Sequence, residues 1–205
     1  MKPSFSLLLP LVLAACSGDF SDLVPLTVED DSDLPALELR DTTVHVQTFG
    51  EPSDPLVVFL HGGPGGDHRA LLPLASLADQ GYFTVFWDQR GAGLSKRHEC
   101  DEITPEAYLA DLEALIDHYR PERSGPVFFV GHSWGAMYAT MFIDAYPDRV
   151  QAAVLAEPGG FTLKQVEALQ SRLFDVSFFA ESTNDALGQF RFLTPDDHER
   201  IDYLA

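Results

Sequence analysis

In "FFVGHSWGAMYAT", Phe128 to Thr140, a serine stands between two glycines where an apolar run gives way to small residues at helical spacing. The pentapeptide Gly131-His132-Ser133-Trp134-Gly135 has the form G-x-S-x-G. A serine hydroxyl is a poor nucleophile near neutral pH unless its position and a neighbouring base activate it. The flanks here predict a strand before and a helix after, the context in which this pentapeptide makes a nucleophile elbow. A turn that tight strains the serine backbone and drives the residues two positions either side together, so glycine is needed at both. The hydroxyl then stands at the N-terminus of the next helix, where negative charge is stabilised. Ser133 is the candidate nucleophile, and acyl transfer is the chemistry.

A second glycine-rich stretch, "HGGPGGDH" from His61 to His68, follows the apolar run "PLVVFL". Such a turn lets backbone N–H groups face a substrate. It lacks the Gly-Lys-Ser/Thr ending of a phosphate cradle. His61, His68 and Asp67 are metal-ligating types, but the glycines between them give no fixed spacing, so no metal is expected.

The elements that must position these loops alternate from Thr42 onward. "TTVHVQTFG" sets Val44, Val46 and Thr48 on one face of a half-buried strand. "PLVVFLHGG", "YFTVFWDQRG", "PVFFVG" and "VQAAVLAEPGG" are continuous apolar runs, as in strands buried on both faces. Between them, "ALLPLASLADQG" carries Leu71, Leu74, Ala75 and Ala78 at helical spacing, ending at Gly81. "TPEAYLADLEALIDHYRP" has Thr104 as N-cap, Pro105 at the first helical position, and Tyr108, Leu112, Leu115, Ile116 and Tyr119 along one face. The "SWGAMYATMFIDAYP" helix closes at Pro147. This βαβ rhythm predicts an α/β fold with a mostly parallel sheet and helices on both faces.

The chain has 205 residues, with 32 Asp and Glu against 13 Lys and Arg, for a net charge of −19. That surface repels nucleic acid and anionic membranes, so neither is expected as a partner. The N-terminus adds an address. Lys2 precedes an apolar run from Phe5 to Ala15, shorter than the roughly 20 residues of a membrane span but suited to a secretory signal. It ends in Leu13-Ala14-Ala15-Cys16, which resembles the lipobox of bacterial lipoproteins. The resemblance implies a signal peptide over 1–15, lipid attachment at Cys16, and an extracytoplasmic place at the bacterial cell envelope. Residues 16–41, acidic and turn-rich, are expected to be a tether. Cys100 is then left without a disulfide partner and is expected to be a packed or idle thiol.

"HGGPGG", "WDQRGAGLS" and "GHSWGA", in that order, resemble the proline iminopeptidase branch of the α/β-hydrolases over Thr42 to Gly160. The resemblance implies a Ser–Asp–His triad, no cofactor, and release of an N-terminal residue, often proline, from small peptides. It implies an oxyanion hole made by the N–H groups of Gly63 and Trp134. Trp87 to Ser95 would shape the pocket wall and brace the nucleophile, and Asp88 and Arg90 there read equally as a structural ion pair.

Two departures qualify it. Where the family commonly continues with Arg-Gly, this chain has "AEPGGFT", which sets proline preference aside. After Ser133 the only histidine is His198, within an expected helix, and no strand follows "VQAAVLAEP". The expectation is a fragment: hydrolase core over 42–160, the start of a helical cap over 161–205, and the last two strands with the triad Asp and His beyond the chain. Glu157, Glu181 and Asp185 are candidates to pair a substrate ammonium, Glu157 lying nearest a strand end. An esterase of the same fold, or a non-catalytic lipoprotein binding module, are the other functions weighed.

Overall fold

The computed structural model describes residues 26–160 together with Thr162, Lys164, Gln165 and Ala168. All belong to one of the chain's two units, Leu26–Gly188. The expected signal peptide, Cys16, and nearly all of the expected cap lie outside the described residues.

Among the described residues six strands form the sheet: β1 (Ala36–Leu39), β2 (Thr42–Phe49), β3 (Leu56–Leu60), β4 (Phe83–Trp87), β5 (Val127–His132) and β6 (Ala152–Ala156). Their order is β1-β2-β4-β3-β5-β6. β1 to β2 and β2 to β4 are antiparallel, while β4, β3, β5 and β6 run parallel. The short β1–β2 hairpin needs only Arg40 and Asp41 between its strands, whereas each parallel pair needs a crossover.

Two helices cross one face: α1 (Pro105–Tyr119) and α2 (Trp134–Ala145). α1 starts where its cap predicts, with the Thr104 hydroxyl accepting from the Ala107 N–H at 3.2 Å. Its buried face is Tyr108, Asp111, Leu112, Leu115 and Ile116. These pack with α2's Tyr138, Ala139 and Phe142 onto Val58, Leu60, Val85 and Phe129 of the sheet. Each fully buried aliphatic side chain there contributes about 1.5–3 kcal/mol. On the other face Val57, Phe59 and Phe86 are covered by Leu71, Leu72, Ala75 and Leu77.

That second cover corrects the helix expected over "ALLPLASLADQG". Residues Leu72–Gln80 form a 3-10 helix, not an α-helix. Its three-residue repeat turns Leu72 and Ala75 inward together and leaves Leu74 40% exposed. The expected tether over 16–41 also needs correction: β1 lies inside it, and Val28 donates its N–H to Leu94 O at 2.8 Å. Thr27, with its hydroxyl on Asp30, is buried. From Thr27 the acidic segment is folded onto the sheet rather than free, because its turns are hydrogen-bonded and its strand adds an edge to β2. Cys100 is exposed rather than packed.

Candidate active site

β3 is flanked by β4 on one side and β5 on the other, so the loops leaving the C-terminal ends of β3 and β5 meet where the winding reverses. Crevices at such points are where open α/β sheets bind ligands. Ser133 stands there, half-buried, as the N-cap of α2 with φ 52° and ψ −116°. A non-glycine residue held there stores about 1–3 kcal/mol of strain. Its neighbours show why the turn needs glycine. A Cβ on Gly131 would stand 2.5 Å from Gly135 O, and one on Gly135 only 1.9 Å from Leu60 O. The Ser133 N–H donates to Ala156 O at 2.9 Å, which ties the elbow to the end of β6.

The β3 loop closes on the elbow through Gly62, whose Cα faces Ser133: a Cβ there would lie 3.4 Å from Ser133 Cβ. His61, buried behind it, donates from Nδ1 to Gly62 O at 2.9 Å. Among the described residues the one cis bond is Gly63–Pro64, so the Gly62–Gly63 peptide is trans. Its carbonyl and N–H point opposite ways, and the Gly63 N–H is directed away from the His61 ring. Trp134 is the first residue of α2, so its backbone N–H is one the helix leaves unpaired.

Glu157 follows β6 in a left-handed conformation, φ 47°, with its side chain 88% exposed and Oε2 3.7 Å from His132 Nε2. Glu181, Asp185 and His198 lie outside the described residues. Among the described residues no hydrogen bond joins the Ser133 hydroxyl to a base.

Residues 51–187 match the family model described as serine aminopeptidase, S33. The chain belongs to this S33 serine aminopeptidase family. It is 34% identical over 162 residues to a proline iminopeptidase of Arabidopsis thaliana, covering 76% of this chain and 39% of the relative. It is also 34% identical over 121 residues to epoxide hydrolase B of Mycobacterium tuberculosis, covering 58% and 33%. Among solved structures, a thioesterase domain from the curacin biosynthetic pathway superposes with a TM-score of 0.55 at 28% identity, over 67% of this chain and 49% of that domain. The chain thus spans less than half the length of these relatives. Its architecture is that of the α/β-hydrolase fold.

Beneath the site, this S33-family chain holds buried charge whose pairing differs from expectation. Asp88 and Arg90 do not pair with each other. Asp88 Oδ1 accepts from both the backbone N–H and Nδ1 of His68 at 2.8 Å, and Oδ2 from the Leu94 N–H at 2.8 Å. Burial raises the Asp88 carboxyl, but the His68 ring and Leu94 outweigh it and hold it below the usual carboxylate range. Arg90 instead forms a bidentate pair with Asp111, both bonds 2.8 Å, and reaches Asp41 at 2.7 Å. Asp111's hydrogen bonds raise the guanidinium's pKa further, and the fork geometry is that of a carboxylate against a guanidinium.

The three metal-ligating types of the β3 loop, not expected to hold a metal, have separate partners: His61 accepts from Gln89, His68 joins Asp88, and Asp67 pairs with Arg69 at 2.6 Å. A different trio, His45, His68 and Asp88, brings ligating atoms within 4.8 Å of one another. Both oxygens of its one carboxylate already accept protein N–H groups, which fits a brace better than a metal centre. His45 was missed in the sequence because alternation on β2 gives a neutral reading for it. Asp111 carried a signal: an acid on the apolar stripe of α1 demands a buried cation.

Proposed function

We propose that this chain is the nucleophile-bearing part of a serine hydrolase of aminopeptidase type, acting on small peptides. The observation that carries the reading is Ser133 on a strained elbow at the switch point, with Gly62 against it. Ser133 Oγ would attack the acyl carbon, and the oxyanion would be met by the N–H groups of Gly63 and Trp134. The serine proton would pass to a histidine supplied outside the described residues and then to the leaving amine. Water would release the acyl group by the same path, restoring the hydroxyl.

Serine chemistry also separates the two activities named among the relatives. An alkoxide that opened an epoxide would leave an ether, which has no carbonyl for water to attack, and the enzyme would stall. An acyl ester turns over. The likeness to a thioesterase domain supports the acyl reading as well.

The aminopeptidase reading rests on Glu157, an exposed carboxylate beside the elbow, as the partner of a substrate α-ammonium. An esterase of the same fold is the second reading, favoured by the absence of the family's Arg-Gly segment after Leu155. In the full-length protein a fluorophosphonate should label wild type and not Ser133→Ala; equal labelling removes the nucleophile. Proline p-nitroanilide and its N-acetyl derivative then separate the readings. Turnover of the free amine alone, with KM raised in Glu157→Gln, supports the aminopeptidase. Equal turnover of both favours the esterase.

We also propose an envelope location through a lipid on Cys16, supported by Leu13-Ala14-Ala15-Cys16 after the apolar run.

A further inference from the structure

Gln89 touches both loops that meet at the candidate site. It lies two residues past the end of β4, fully buried. Its backbone N–H donates to His61 Nε2 at 3.0 Å, its side-chain Nε2 donates to His61 O at 3.0 Å, and its Oε1 accepts from Trp134 Nε1 at 3.0 Å. Each group has one possible role. An indole N–H only donates, so the amide oxygen must face Trp134 and the amide nitrogen must face the His61 carbonyl. A backbone N–H only donates, so His61 Nε2 is the bare nitrogen and Nδ1 carries the proton. Burial, opposed by the Gly62 hydrogen bond, keeps this imidazole neutral and so keeps that tautomer.

We propose that Gln89 is a positioning residue that sets both arms of the oxyanion hole at once. Its backbone N–H fixes the His61 tautomer whose Nδ1–H holds the Gly62 carbonyl, and its side-chain amide holds the His61 carbonyl, so together they set the direction of the adjoining Gly63 N–H. Through the indole it fixes Trp134, the residue whose backbone N–H is the other donor. The two arms come from loops about seventy residues apart in sequence, and a single side chain spans them. A side chain that acted only as filler would not need a defined amide orientation. This inference rests on Ser133 being the nucleophile, and its test is built so that the two can fail separately.

The variants are Gln89→Met, which keeps volume and removes both side-chain bonds, and Gln89→Glu, which keeps the acceptor for Trp134 and removes the donor to His61. In the full-length protein, both should slow fluorophosphonate labelling, Gln89→Met by about 10²-fold as for misplaced catalytic groups. Ester hydrolysis should lose kcat with KM little changed. Trp134→Phe, which deletes only the indole N–H, should slow labelling less than Gln89→Met, and should add little on top of it. In the 205-residue chain, the indole N–H resonance of Trp134 should lose its hydrogen-bonded shift in Gln89→Met, a readout independent of activity, while 15N spectra of His61 should keep Nδ1 protonated, because the Gln89 backbone N–H remains. Labelling lost in Ser133→Ala but unchanged in a folded Gln89→Met overturns the inference and leaves the nucleophile standing. Labelling kept in Ser133→Ala overturns the nucleophile instead, while the indole result still reads the Gln89 contact. A raised KM with unchanged kcat also overturns it, since that is a pocket wall and not an oxyanion brace.

Discussion

The backbone of Gly135 lies against the carbonyl of Leu60 so closely that a Cβ on Gly135 would stand 1.9 Å from that oxygen. The first turn of α2 is thereby seated on the end of β3, and this seat lifts Ser133 out of the sheet. A methyl group at this place meets backbone, which cannot step aside as a flexible side chain would. Gly135→Ala should therefore displace the elbow and abolish serine labelling. Gly131→Ala, whose Cβ would stand 2.5 Å from Gly135 O, should do the same. Far-UV circular dichroism of folded variants, read beside fluorophosphonate labelling, checks this; a folded Gly135→Ala that labels at the wild-type rate would refute it.

The Arg90 fork separates a buried charge pair from a surface one. Asp111 is fully buried, while Asp41, on the same guanidinium, is 73% exposed. Asp111→Asn strands a buried cation and should cost about 3–5 kcal/mol of stability. Asp41→Asn should cost little, because water replaces it. Replacing the pair together, Arg90→Met with Asp111→Leu, should recover much of the loss. Urea midpoints of the three variants measure it. Equal midpoints for Asp111→Asn and Asp41→Asn would contradict the assignment.

His45 and His61 make stability depend on pH in a definite direction. Burial pushes both imidazoles below the ordinary value of 6.5. In the unfolded chain they take up protons as pH falls through about 6.5, while in the fold they resist until lower pH. Stability should therefore be level above about pH 7 and fall below about pH 6.5, by up to about 1.4 kcal/mol per pH unit for each imidazole. The lowered aspartates, Asp67 and Asp88, lose their contribution only further down, below the carboxylate range. Neither ring nitrogen of His45 has a hydrogen-bond partner among the described residues, so His45→Phe should flatten this slope at no polar cost. Denaturation between pH 7.5 and 5.5 tests it, and an unchanged slope in His45→Phe would rule it out.

If Cys16 carries the lipid anchor, wild type expressed in a bacterium should partition to the membrane fraction and Cys16→Ala should not. Mass spectrometry should find the acyl chains on Cys16. Equal solubility of the two proteins would remove the anchor.

The elbow was legible in the sequence because its constraint is local. Gly131, Ser133 and Gly135 are set by what one tight turn permits, and the apolar run before and small residues after show on which elements the turn lies. The α1 face was legible for the same reason: a capping threonine, a first-turn proline and apolar residues at helical spacing all act within one element. The 3-10 helix over Leu72–Gln80 was not, since three- and four-residue repeats look alike over nine residues and the packing against Val57, Phe59 and Phe86 decides between them.

What the sequence by itself determined is the succession of strands from β2 to β6 with their crossovers, the place of Ser133, and family membership, all carried by residues close together along the chain. Only the tertiary structure decided who partners whom across it. Asp88 turned to His68 rather than Arg90, Arg90 to Asp111 and Asp41, and Gln89 to both His61 and Trp134. A side chain's type announces that it needs a partner. Which partner it finds depends on which loops the strand order brings to the same end of the sheet, and no local pattern carries that.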